Sequence, residues 1–176
     1  MSPNYRQLVS QPKSDVPELP SIPKLPNLKK NDNIKEPRFK EGQLDFYNKL
    51  KQSESSNDTT ESRVNKDGSK YVGELQFGVS RLQDYKNDTG SSFTLDEFRR
   101  NPNLQKEVAS WHINDIDKYI NKLGDLAKGY DRDGLRAVAH LGGKDGMRKW
   151  IESKGKSNPS DELGTSLTEY YNKFSK

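Results

Sequence analysis

Apolar positions recur at helical spacing through most of this chain. In "EGQLDFYNKLKQSES" Leu44, Phe46, Tyr47 and Leu50 fall on one side of a helical wheel, which predicts an amphipathic helix. "NKDGSKYVG" follows as loop, with Gly68 and Gly73 as breakers. "ELQFGVSRLQDY" predicts a short helix through Leu75, Val79 and Leu82. Thr94 and Glu97 in "TLDE" form a capping box that opens the next one. The clearest helix is "LQKEVASWHINDIDKYINKL", whose broad apolar face carries Leu104, Val108, Trp111, Ile116, Tyr119, Ile120 and Leu123. "DGLRAVAHL" and "GMRKWIE" predict two more, split by Gly142 and Gly143, and "TSLTEYYNKF" closes the chain. No segment alternates convincingly at the strand period of two. The pattern therefore predicts an all-α domain of six or seven helices over residues 41–176.

Residues 1–40 obey a different grammar. They hold seven of the nine prolines and no alanine or glycine. Each proline removes an N–H and clashes with the preceding turn, so no regular helix is expected. The segment reads as an extended Pro-rich tail. Within it, "LPSIPKLPNL" spaces Leu19, Ile22, Leu25 and Leu28 three apart, which lines them along one edge of a polyproline helix. Two readings stay open: a linker with scattered apolar residues, or a strip that docks in a partner's groove.

Composition supports this division. Hydrophobic residues make up 29 % of the 176 positions and mean hydropathy is −1.13, low for a chain packed throughout. There is no cysteine, which excludes disulfides and thiolate sites. Two histidines cannot by themselves make a His-rich metal site, and neither metal nor cofactor is expected. The net charge of +4 comes from 30 basic and 26 acidic residues. That is mixed charge without a stacking-aromatic motif, so a nucleic-acid partner is not expected. No apolar run approaches the ~20 residues of a membrane span. "MSPNYRQLVSQPKSD" lacks the apolar core of a secretory signal.

Candidate chemistry begins with two Glu-Ser pairs, Glu54-Ser55 and Glu61-Ser62. Phe46, Leu50 and Glu54 are spaced by four and share a helix face. Glu54 is therefore expected at the edge of the buried stripe, where desolvation favours the protonated acid. The negative end of the helix dipole works in the same direction. Both effects suit a general acid. Glu61 falls beyond the helix in a polar loop and reads as solvated. "YDRDG" at 130–134 reads as a turn, because the later bidentate Glu of a calcium loop is missing. "GGKDG" reads as a turn or an anion cradle, and His112, beside Trp111 on the long helix, as structural.

"FYNKLKQSESSND" resembles the catalytic helix end of the lytic transglycosylase and goose-type lysozyme superfamily. In "YVGELQFG", Gly73 and Gln76 match that family's Gly-x-x-Gln motif. "LRAVAHLGGKDGMRKWI" is similar to the family segment Ala-Tyr-Asn-x-Gly and the basic helix after it, with Ala139, His140 and Gly142 in place. "NPSDELGTSLTEYYNKF" resembles the closing segment, with Tyr170 as the tyrosine that points back into the cleft. The likeness covers about residues 43–174, and phage-encoded members look most similar. His140 stands where Tyr is usual and Leu141 where Asn is common. Gln76 follows Glu54 by 22 residues but follows Glu61 by 15, and only the longer separation suits the family.

The resemblance implies a lysozyme-like helical fold. It also implies cleavage of the β-1,4 bond between N-acetylmuramic acid and N-acetylglucosamine in peptidoglycan. Glu54 would act as acid and then base, with Ser55, Gln76, His140 and Tyr170 binding the glycan. Glu74, inside the Gly-x-x-Gln motif, either holds a water or is a solvated side chain. The outcome, a 1,6-anhydro product or plain hydrolysis, stays open. With the tail, the phage likeness implies a virion protein that opens the cell wall during genome entry, docked through residues 1–40 on a tail or internal protein. The competing reading is a non-catalytic structural or wall-binding protein with a decayed lysozyme fold.

Overall fold

A computed structural model describes residues 38–60, 62–64, 68–161 and 163–176. The proline-rich segment, apart from its last three residues, and Glu61 lie outside the described residues. Six α-helices are present among the described residues: α1 (Gln43–Ser55), α2 (Val79–Thr89), α3 (Leu95–Arg100), α4 (Pro102–Leu123), α5 (Arg132–Glu152) and α6 (Leu167–Phe174). The predominantly helical expectation holds, and no helix among these residues is long and apolar enough to cross a membrane.

The expectation of no strand does not hold. Between α1 and α2 lies a small antiparallel sheet of β1 (Ser62–Val64), β2 (Lys70–Val72) and β3 (Phe77–Gly78). Its register pairs Arg63 with Tyr71, and Tyr71 with Gly78. Strands of two or three residues are too short to show a period of two, and backbone pairing alone defines them. The helix expected through Leu75 begins only at Val79, which is exposed. Leu75 itself is fully buried in the turn between β2 and β3.

That turn needs Gly73. Its φ is +78°, and a Cβ there would lie 2.6 Å from Gln105 Oε1 and 2.9 Å from a Phe98 ring carbon. Gln105, wholly buried on α4, uses this close approach to accept the Glu74 N–H at 2.8 Å. Its amide also donates to the carbonyls of Thr59, Phe98 and Arg99. One buried glutamine thus satisfies backbone groups from the loop after α1, the β2–β3 turn and the end of α3.

The helices carry the signals that start and stop them. Thr94 and Glu97 form the expected capping box on α3, and Ser166 with Glu169 form another on α6. Asp131 caps α5 by accepting the Gly134 N–H at 2.9 Å. At Gly143 (φ 73°, ψ 170°) the α5 backbone leaves helical geometry, which is where the sequence divides its two segments. Gly142 lets α6 approach, since a Cβ there would meet Leu167 Cδ2 at 2.8 Å.

Two apolar clusters form the interior. One joins α1, the turn, α2, α3 and α4 through Phe46, Leu50, Leu75, Leu82, Phe98 and Val108. The other joins α4, α5 and α6 through Ile116, Leu135, Val138, Met147, Trp150 and Leu167. Asp117 ties α1, α4 and α5 together. It accepts two bonds from Arg136 at 2.7 and 2.8 Å and one from Gln43 at 2.7 Å. Burial works against its charge, but these donors outweigh it and hold the carboxyl below its ordinary range.

Candidate functional site

A cleft of about 740 Å³ opens between the sheet and the helices, a size suited to a small ligand or a few sugar units. Glu54, Gln76, His140 and Tyr170 all line it. They come from α1, the β2–β3 turn, α5 and α6.

Glu54 reaches the cleft because α1 stops where it does. Phe46, Tyr47 and Leu50 anchor the buried face of that helix. Ser56 and Asn57 then adopt left-handed φ values of 52° and 70°. The Asp58 carboxylate accepts the Thr60 N–H at 2.8 Å, which stabilises the turn that follows. Glu54 therefore sits in the last helical turn, with its side chain 15 % exposed. This is the half-buried edge that its spacing predicts.

Ser55, expected to touch substrate, has a different part. It is buried, and its hydroxyl donates to the Glu74 carbonyl at 2.9 Å. It locks the end of α1 onto the β2–β3 turn and is not among the cleft-lining residues.

Glu74 departs from the solvated reading. It is 2 % exposed, the Tyr47 hydroxyl donates to it, and Lys51 Nζ lies 3.3 Å from it. Burial and the hydrogen bond to this carboxylate push the Tyr47 phenol up, so it remains a donor. Glu74 is fully engaged within the fold and does not line the cleft.

Gln76 adopts a left-handed φ of 48°. Its amide nitrogen donates back to the Gly73 carbonyl at 2.8 Å. That leaves Oε1 buried and without a hydrogen-bond partner, a cost the fold carries at a cleft-lining position. Arg63 Nε, also on a cleft-lining side chain, is likewise buried and unpartnered. Among the described residues, these are the buried side-chain polar atoms left without a partner, one acceptor and one donor, both on cleft-lining side chains. Tyr170 lies 3.5 Å from the Ser53 hydroxyl, which also receives a bond of 2.6 Å from Lys173 Nζ.

His140 faces Glu54, with Nε2 lying 3.8 Å from a carboxylate oxygen. Its other nitrogen, Nδ1, lies 3.1 Å from His112 Nε2. Burial and the nearby Arg81 charge push His140 down to about 4, against a backbone hydrogen bond at Leu75 that works the other way. Burial and the charge of its neighbours lower His112 as well. Near neutral pH both rings are uncharged, so the Glu54–His140 contact is not an ion pair. Phe77 packs edge-on against both rings.

Sequence reasoning missed the involvement of His112 and Arg81. Arg81 stacks 4.2 Å over the Trp111 ring and pairs with Asp115 at 2.6 Å. Its Nε donates to His112 Nδ1 at 2.9 Å. The only signal was a histidine on an otherwise apolar helix face, and its partners lie 31 and 28 residues away.

Among the described residues, no three His, Asp or Glu side chains gather in a way that could hold a metal ion. No family model, curated protein or solved structure matches this chain.

Proposed function

We propose that this protein cleaves the glycan strands of peptidoglycan at the β-1,4 bond after N-acetylmuramic acid, with Glu54 as the single catalytic carboxyl group. The observation that carries the reading is Glu54 itself. It is a half-buried carboxyl in the last turn of α1, on a cleft of sugar-binding size lined also by Gln76, His140 and Tyr170. These are four of the five positions that the lysozyme-like sequence motifs nominate; Ser55, the fifth, does not line the cleft.

In this mechanism Glu54 donates its proton to the glycosidic oxygen as the C1–O bond breaks. The carbonyl oxygen of the substrate's own N-acetyl group stabilises the positive centre at C1, in place of a second carboxylate. Glu54, now a carboxylate, takes a proton from the attacking hydroxyl. If that is the sugar's 6-hydroxyl, a 1,6-anhydro end forms; if it is water, hydrolysis results. Two features support a one-carboxyl scheme. Glu74, the other acid of the motif region, is held by Tyr47 and Lys51 away from the cleft. His140 is neutral near pH 7 and places no cation against a group that must begin as an acid. The free Gln76 Oε1 can accept from an acetamido N–H or a sugar hydroxyl.

The test is Glu54→Gln, which keeps shape and removes the proton donor. Release of muropeptides from purified cell walls, followed by mass spectrometry, should fall by about two to four orders of magnitude. Undiminished release would refute the assignment. In the parent protein, a 1,6-anhydro end would identify the attacking group as the 6-hydroxyl.

A further inference from the structure

The two histidines of this chain form one connected path to Glu54. Arg81 on α2 is its fixed end. A guanidinium can only donate, so His112 Nδ1, 2.9 Å from Arg81 Nε, must accept. The one proton of neutral His112 then sits on Nε2. That nitrogen lies 3.1 Å from His140 Nδ1, which must accept in turn. The proton of His140 is thereby driven onto Nε2, the atom 3.8 Å from Glu54. We propose that Arg81 and His112 are positioning residues for the acid: together they hold His140 as an uncharged ring that turns an N–H, not a lone pair, toward Glu54.

The contacts along this path also oppose charging either ring, against a hydrogen bond between His140 and the Leu75 backbone that favours the charged form. A proton added at His112 Nδ1 would face the Arg81 N–H, and one added at His140 Nδ1 would face the His112 N–H. Arg81 is itself restrained. Asp115 accepts from it at 2.6 Å and also from Lys144 at 3.0 Å, Asp84 lies 3.5 Å away, and Trp111 stacks beneath it. The chain Asp115–Arg81–His112–His140–Glu54 therefore links α4, α2, α5 and α1.

The consequence concerns the second half of the reaction. When Glu54 gives up its proton, its carboxylate faces a neutral ring that also bonds the Leu75 backbone, one small shift or one water away from sharing its N–H. A lone pair in that position would repel the carboxylate. An imidazolium would stabilise it so strongly that the acid would lose its proton early. This proposal rests on Glu54 being the acid, and its test separates the two.

Nitrogen-15 NMR of the imidazoles in the whole protein near neutral pH reads the tautomers directly. Both rings should carry hydrogen on Nε2 and a bare Nδ1. Arg81→Met removes the donor but keeps a stem over Trp111. It should shift His112 and His140 toward the other tautomer and lower kcat on soluble glycan strands by about tenfold to a hundredfold, with KM little changed. Arg81→Lys, which retains a cationic donor, should recover part of both. A proton on Nδ1 of either ring in the parent protein overturns the proposal, as does an Arg81→Met protein with unchanged tautomers. The parent readout needs no substitution, so a variant that fails to fold does not shield the idea. Retained cleavage by Glu54→Gln would instead remove the acid that the rings are held to serve, whatever their tautomers.

Discussion

Acid should unfold this protein through its two histidines, before its paired aspartates contribute. His140 is held near 4 in the folded state against an ordinary value of 6.5. In the unfolded chain the ring takes up a proton as pH falls below that ordinary value; in the folded protein it does not. The stability is fully present above about pH 6.5 and is lost as pH falls toward 4. The full shift corresponds to about 3 kcal/mol, at about 1.4 kcal/mol per unit. His112 is lowered in the same direction and adds to the loss. A domain of this size has a total stability of about 5–15 kcal/mol, so the effect is large. Asp115 and Asp117 are held below their ordinary value of 3.8, and their contributions disappear only in stronger acid.

Urea unfolding at about pH 7 and about pH 5 measures this. Glu54→Gln is the background of choice, because it removes the carboxyl that faces His140. Near pH 5 the stability should fall by up to about 1.4 kcal/mol per pH unit for each ring. With only two histidines in the chain, the slope should approach two protons taken up on unfolding. A His112→Gln, His140→Gln double variant should flatten it. An equal midpoint at both pH values would refute the reasoning, as would a slope that survives the double variant.

Two further outcomes are expected. Gly73→Ala places a Cβ 2.6 Å from Gln105 Oε1 at a φ of +78°. It should cost about 2–4 kcal/mol in urea unfolding, and a change below about 0.5 kcal/mol would show that the turn can relax. If the chain is a virion protein docked through its tail, as the resemblance implies, deleting residues 1–37, which spares the Phe39–Tyr47 stack, should leave glycan cleavage intact and abolish packaging. A truncated protein that still packages would end the docking proposal for the strip Leu19, Ile22, Leu25 and Leu28.

Helix periodicity was legible wherever a run was long enough to repeat. The α4 stripe and the Thr94–Glu97 box were read directly, because helical contacts and caps are local. The β1–β2–β3 sheet was not, because two or three residues per strand leave no pattern and the pairing partners come from different loops. The same limit explains Leu75 and Val79. Helical spacing assigned both to one apolar face, whereas Leu75 is buried in a turn and Val79 is exposed at a helix start.

The candidate site divides in the same way. The sequence by itself determined that Glu54 ends an apolar helix face, because side chains four apart on one helix must share a side. It placed Gly73 in a loop but Gln76 on the helix after it, whereas both lie in the turn between β2 and β3. Only the tertiary structure decided which polar groups reach the cleft. Ser55 and Glu74 turn inward because a backbone carbonyl, Tyr47 and Lys51 await them there. His112 turns toward His140 because α2 brings Arg81 to its other nitrogen. Those partners come from separate elements, and a buried polar side chain goes where a hydrogen-bond partner has been brought, whatever its spacing along the chain.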